Sequence, residues 1–478
     1  MSAAAALVVA AALAGCGTTT YFAGRVLPPS GLANRVLIAI QNPSAYTKGA
    51  LQFVDAYYDV RFSYNDKTGS FAISGYSGAL PVTIQNMPEE QTGVVYGAGD
   101  GSFTLINYAK ENSAGVVNGL NGASSSVFLS RNQSYAIAAS QGSHVLTVVN
   151  RVTGGSYPLS LPGVYRVSMN PGGSVALAFV QNSNYVYYPR QLTAAQTLAF
   201  SGGPSTWPKA AVDCEPQNGP ALCLFQAQSP DTLDTKTNTY YGAPLSFDRP
   251  VKAVFSADGG TAYILSCGPE CGGATASVTP LPIAPMIFLT NQQSGLLPTT
   301  SALASSMIPT PGGASNALVD TSTLYVVGQK YMPDGYFGGY LTVVNLSTNQ
   351  VSVPAVSISD GAPGAVSRML LADDNTLWIG MTRCTNGERA NNNQSYGCLT
   401  MYNTSNNTVT LIEPYIGDAT GIAGVTGLHK IYTAEGGQVY IYSTKDGTAM
   451  DNQYVTVTGT AYDVAYMDGL TDGNNTVY

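Results

Sequence analysis

The chain has 478 residues, of which 45% are hydrophobic and only 10% charged, and its net charge is −8. This apolar balance excludes classical disorder, and 52 glycines without a strict period exclude a coiled coil and collagen. Twenty basic residues against 28 acidic ones, with no basic stretch, give nucleic acid no footprint. The chain opens on an apolar run, Ala3 to Ala14. A spanning helix needs about 20 residues, so this run is too short to cross a bilayer. It has the length of the apolar region of a signal peptide. No other stretch reaches 18 apolar residues.

The run ends in Leu13-Ala14-Gly15-Cys16. These four residues resemble the lipobox of bacterial lipoproteins, where small residues precede a cysteine that is lipidated and becomes the first mature residue. One departure is that Met1 to Leu7 holds no Lys or Arg, which would fit a true start elsewhere. The resemblance implies a signal peptide over 1–15, and a lipidated Cys16 with a polar tether over 16–33 that begins at Thr18, Thr19 and Thr20. It implies fatty chains holding the protein to a membrane, and release to the outer membrane, because Gly17 is not Asp. The competing reading is an ordinary secretory signal with a chance Cys.

From residue 34 onward one phrase recurs: an apolar strand, a Gly/Asp/Asn turn, then a second strand beginning near Ser or Thr. It is clearest in Val127 to Ala138, Val167 to Ala178 and Ala253 to Leu265. Weaker copies run over Leu318 to Val327, Met369 to Ile379, Val425 to Thr433, Val82 to Tyr96 and Ala210 to Leu224. The residues before the second strands are Thr92, Ser134, Ser174, Pro220, Thr261, Thr323, Thr376 and Lys430, at intervals of 42, 40, 46, 41, 62, 53 and 54. Longer intervals place insertions near Pro280 to Pro311 and Cys384 to Cys398. Third strands follow at Val145 to Val149 and Leu341 to Val344, and Asn150 and Asn345 begin further turns.

Several short strands per unit of 40–50 residues are the signature of a β-propeller. A β-helix would repeat at shorter intervals, and a sandwich array would not keep this period. The phrase Ser256-Ala-Asp-Gly-Gly260 followed by Thr261-Ala-Tyr-Ile264 resembles the bacterial YVTN and NHL-like propeller repeats, in degenerate copies over about 400 residues. Trp207 and Trp378 do not precede Asp, so the WD mark is missing. Asp463 to Met467 reads as a first strand and Thr476-Val477-Tyr478 as the start of a second. Arg35 to Ile40 and Leu51 to Val54 read as strands that lack a first strand. Both ends would then share one blade, removing the open sheet edge. The expected fold is an all-β propeller over 34–478 as a single domain. It has eight blades within a range of seven to nine, because at least one copy of the phrase is spurious.

Besides Cys16, six cysteines pair locally: Cys214 with Cys223, Cys267 with Cys271, and Cys384 with Cys398. In an oxidising compartment this implies three disulfides, each stapling a hairpin or loop. Catalytic candidates are sparse. His144 and His429 are the two histidines, and both fit turns better than a general base. Gly97-Ala-Gly-Asp-Gly101 lies between strands and reads as a hairpin, as does Asp373-Asp374-Asn375. Asp468, Asp472 and Asn474 could offer oxygens to Ca²⁺, but their spacing departs from the EF-hand loop and Asp-Gly is ordinary turn chemistry. No metal site and no cofactor motif is expected. Among 31 tyrosines, several cluster: Tyr57-Tyr58, Tyr185 with Tyr187-Tyr188, and Tyr240-Tyr241. Tyr331, Tyr336, Phe337 and Tyr340 form the best single contact loop, since aromatics with few charges suit sugars or protein surfaces. The expected function is a lipid-anchored binding or scaffold module for an envelope protein or a glycan. The alternatives are a lactonase-like or lyase-like propeller enzyme acting on a small ligand in the central channel, and a surface adhesion protein.

Overall fold

The strand Arg35–Gln41 shows why the chain stacks sheets radially. Val36 to Ile40 are all fully buried in the computed structural model, although successive side chains of a strand point to opposite faces. Both faces are therefore covered. Val36, Ile38 and Ile40 enter one apolar layer with Tyr432, Val439 and Ile441, while Leu37 and Ala39 enter another with Ile84, Val95 and Ile106. Tyr135–Ser140 divides likewise, Ile137 and Ala139 to one side and Ala136 and Ala138 to the other. A strand buried on both faces reads as a continuous apolar run instead of alternating. Each large aliphatic side chain so buried contributes about 1.5–3 kcal/mol.

The structure describes residues 20–21, 24–46, 48–62, 69–120, 122–198, 204–215, 221–235, 239–287, 296–333, 335–359, 364–382, 384, 397–412, 417–473 and 475–476. Cys16 and the run before it, Asp334, Asn474, Val477 and Tyr478 lie outside them. The fold is an eight-bladed β-propeller. Blade 1 takes its first strand, Thr460–Tyr466, from the end of the chain and the next two, Arg35–Gln41 and Gly49–Asp55, from the start. Blade 2 spans Pro81–Met87 to Asn112–Val116, and blade 3 Ser126–Leu129 to Gly155–Ser160. Blade 4 begins at Val164–Met169, and blade 5 runs from Pro250–Phe255 to Ile308–Pro309. Blade 6 spans Asn316–Asp320 to Gln350–Ser357, blade 7 Ala365–Ala372 to Thr408–Ile412, and blade 8 Ala419–Val425 to Ala449–Val455. Among the described residues eight apolar clusters fill the gaps between neighbouring blades, so the core is a closed ring of layers. Among the same residues no helix is long and apolar enough to cross a membrane.

The recurring phrase is turn chemistry. Ser130 Oγ accepts from the amide of Tyr135, while Asn132 caps the amide of Ser134. Ser256 Oγ accepts from the amide of Thr261, and Asp258 from that of Gly260. The turn closes through a residue at positive φ, Gln133, Gly173 or Gly259, where glycine costs least. The Asn that ends the third strand of blades 3, 6 and 7 repeats a second device. Asn150 Oδ1 accepts from Val152 and Thr153, Asn345 from Ser347 and Thr348, and Asn403 from Ser405 and Asn406.

Two expectations are corrected. Ala210 to Leu224 does not open a blade. Leu222–Gln226 is the fourth strand of blade 4 and Ala211–Glu215 a fifth beyond it. The 87-residue interval from Ser174 to Thr261 holds one blade with insertions, including the hairpin Thr232–Asp234/Thr239–Tyr241. An outer hairpin carries the same apolar-turn-apolar pattern as a first hairpin, which is why the sequence does not separate them. The Pro220 mark itself lies outside the described residues. Thr476 likewise does not begin a second strand. Its amide bonds to Met369 O at 2.9 Å, and Asn475 bridges Leu370, on the channel side of blade 7.

The three local cysteine pairs are bonded. Cys214 joins Cys223, and the two are opposite one another in the register between the fifth and fourth strands of blade 4. This bond ties down the outer hairpin of blade 4. Cys267 joins Cys271 across one short helical turn, Gly268–Cys271, after the second strand of blade 5. Cys384 joins Cys398, closing the insertion between the second and third strands of blade 7. All three close short loops, so each stabilises its own hairpin or loop more than the ring.

Blade 8 meets blade 1 at Gly421, where an added Cβ would stand 2.5 Å from Asp463 Oδ1 and 2.7 Å from Asp463 Cα. Backbone cannot yield as a flexible side chain does. Gly421→Ala is expected to lower stability by about 1–3 kcal/mol, read as a shift in the urea midpoint. An unchanged midpoint would show that the ring has slack at this seam.

Candidate functional site

Two places qualify: the central channel and the hairpin between the second and third strands of blade 6. The channel is walled by the first strands, and six of these carry a register shift at the same place. The residue after the shift is Thr83, Arg166, Lys252, Arg368 or Gly421, and in blade 1 the strand slips past Tyr462 beside Asp463. A bulge re-aims a side chain. Its recurrence at one strand position gathers Arg166, Lys252, Arg368 and Asp463 around one level of the channel. Lone cations inside apolar strands, as in Val251-Lys252-Ala253, were the available sequence signal. Their spacing is the blade period, not a local motif, so the sequence does not mark them as a set.

The anion of this ring is consumed internally. Arg368 is 2% exposed and pairs with Asp463, which is fully buried and also accepts the Ile84 amide at 2.7 Å. Burial raises the Asp463 carboxyl, and Arg368 opposes the rise. Lys252 Nζ donates to Asn316 Oδ1 at 2.9 Å. Burial pushes its ammonium well below the usual value, and the Arg166 and Arg368 guanidiniums push the same way. Beside this ring lies a cavity of about 370 Å³ lined by Gln85, Asn86, Arg131, Asn170, Lys252 and Asp472. The Gln85 amide is committed to Leu129, bonding its backbone N and O, and Arg131 pairs with Glu89 at 3.2 Å. Asp472 lines the cavity together with Thr471, Gly473, Asn475 and Thr476. Desolvation there raises its carboxyl to about 7 against the pull of Arg368.

The other sequence candidates fall elsewhere. His144 is exposed at positive φ in a turn of blade 3, on the face opposite the cavity mouth. His429 turns between the first two strands of blade 8, and its Nδ1 lies 2.8 Å from Asp374 Oδ2. Asp373 and Asp374 thus cap a neighbour's turn. Gly97 to Gly101 is a hairpin turn in which Asp100 accepts the amides of Ala79 and Ser102. Asp468 is held by Arg35 at 2.7 Å, a structural ion pair.

In blade 6, Thr323–Tyr331 and Phe337–Asn345 extend past the sheet as a long hairpin. Tyr331 and Tyr336 are 58% and 69% exposed. Tyr331 packs edge-on against Phe337 at 5.2 Å, and Tyr340 lies under Lys330 Nζ at 5.4 Å while its hydroxyl reaches Met332 Sδ. The hairpin brings the four aromatic candidates together.

No family model matches the sequence, and no curated protein matches it. Solved structures do align. The Cps50 (Swd1) β-propeller domain of Myceliophteria thermophila is 11% identical, with 77% of this chain and 98% of that chain covered and a TM-score of 0.43. A Bacteroides uniformis protein, provisionally assigned as a 6-phosphogluconolactonase, is 11% identical over 91% and 99%, with a TM-score of 0.44. A Lactobacillus plantarum protein is 9% identical over 91% and 99%, with a TM-score of 0.46. The likeness is one of fold. No ligand or activity passes from these proteins to this one at such identities.

Proposed function

We propose that the chain is a lipid-anchored propeller of the bacterial cell envelope that binds a protein or glycan and carries out no chemistry of its own. The observation that supports this most is the blade 6 hairpin. It is a two-stranded projection that presents Tyr331 and Tyr336 to solvent, with Tyr331 packed edge-on against Phe337 and Tyr340 under Lys330. Rigid aromatics of this kind dominate binding energies at interfaces. The lipobox at Cys16 supplies the envelope address. In-cell cross-linking of a tagged chain, with mass spectrometry of what travels with it, tests the reading. The double variant Tyr331→Ala/Tyr336→Ala should reduce partner recovery about tenfold, while its melting temperature stays near the wild-type value, since both side chains are exposed. Full recovery in the variant would remove the hairpin from the interface.

The second reading is a small-ligand enzyme of lactonase-like or lyase-like type, and it is favoured by one observation. Lys252 lines the cavity, and it shares its bulge position with Arg166 and with Arg368, the partner of the buried Asp463. A lactone and uronate turnover screen with Lys252→Met as the control separates the two. Turnover that is lost in the variant would establish the second reading.

A further inference from the structure

We infer that the propeller face carrying the first-to-second-strand turns lies against the lipid surface; this rests on the reading of Cys16 as the lipid anchor. The first described residues are tied to that face. Thr20–Tyr21 pairs with Arg25–Val26. Arg25 then donates to Pro88 O at 2.8 Å and to Gly469 O at 3.3 Å. Pro88 lies in the first turn of blade 2, and Gly469 follows the first strand of blade 1. Thr20 comes only four residues after Cys16. Fully extended, that stretch spans at most about 14 Å. The acyl chains therefore enter the bilayer close beside this face, and a thick hydrated gap is excluded.

The face is built for that contact. Val26, Leu27 and Leu470 are 59%, 38% and 60% exposed and line one groove with Glu89, Gln91 and Ala109. On the same face, after the third strand of blade 1, Tyr57 and Tyr58 stack edge-on at 4.9 Å and are both more than half exposed. Aliphatic groups beside tyrosines suit the boundary between headgroups and acyl chains. Glu89, the acidic member of the groove, pairs with Arg131. Turns between second and third strands lie on the opposite face, so the blade 6 hairpin points away from the lipid, where a partner reaches it. The channel mouth bordered by Arg131 and Asn170 points toward the lipid.

The test uses the full-length lipidated chain in phosphatidylcholine vesicles with brominated acyl chains. A fluorophore is placed on one introduced cysteine at a time: V26C, L470C or Y336C. Quenching at positions 26 and 470 should exceed that at 336 about threefold, because a surface-seated apolar group reaches roughly 5–10 Å into the boundary region. Equal quenching at all three sites, or stronger quenching at 336, on membrane-bound protein would overturn the orientation and leave the anchor standing. A chain that takes up no palmitate label and stays in the aqueous phase would overturn the anchor reading, and the orientation with it.

Discussion

Arg35→Ala is expected to cost about 3–5 kcal/mol, the range for breaking a buried ion pair from one side. Arg35 is 2% exposed. Its Nη2 meets Asp468 Oδ1 at 2.7 Å, its Nε meets Asp468 Oδ2 at 3.0 Å, and its Nη1 meets Glu111 Oε1 and Tyr108 O at 2.8 Å each. Glu111 in turn accepts the Ser30 hydroxyl at 2.6 Å and the Ser30 amide at 2.9 Å. One guanidinium thus ties the entering chain, blade 2 and the end of the last strand at the seam where the ring closes. Alanine takes the Arg35 cation away from two buried carboxylates, beside the strand pairing that joins the two ends of the chain. Urea unfolding should show a large fall in midpoint, and limited proteolysis should cut near residues 456–459, just before the shared strand. Arg35→Met/Asp468→Leu/Glu111→Leu, which removes the charges together, should recover most of the loss. A single variant as stable as the wild type would show that β-pairing alone holds the seam.

Acidification from pH 8 to pH 5 is expected to strengthen blade 8 by about 3 kcal/mol through Glu435. Glu435 is 1% exposed, and burial raises its carboxyl to about 7 against the pull of its hydrogen bonds from Thr433 and Tyr442. In the unfolded chain the group titrates near 4.5. Between these values the folded protein holds a proton that the unfolded chain has released. The contribution is therefore complete below about 4.5 and is lost as the pH rises through about 7. Asp472 acts in the same direction from the channel. Glu435→Gln should flatten this part of the pH profile of the unfolding midpoint, with Asp472→Asn as the separate control. A profile unchanged in Glu435→Gln would show that the carboxyl is ionised in the fold.

The propeller architecture is written locally along the chain. Strand position depends on local apolar runs and on turns whose Ser, Asn, Asp and Gly residues bond their own neighbours, so Ser130-to-Tyr135 chemistry is written within six residues. The closing blade was legible for a related reason: Asp463 to Met467 and Arg35 to Ile40 each lack the partner that the other supplies. The cysteine pairs were legible because the members of each, such as Cys267 and Cys271, are close along the chain.

What faces the channel and what is an outer strand depends on long-range packing. Leu222–Gln226 resembles a second strand in every local respect, and its place at the rim depends on an insertion with no blade of its own. The bond from Cys223 to Cys214 holds for either placement, so the cysteines alone did not reveal the difference. Arg166, Lys252, Arg368 and Asp463 stand hundreds of residues apart at the extreme, and they meet because a bulge recurs once per blade around a closed ring. A ring of this kind brings together residues of equal rank in successive repeats. Rank within a blade is fixed by register between strands, a long-range quantity that no local pattern in this chain encodes.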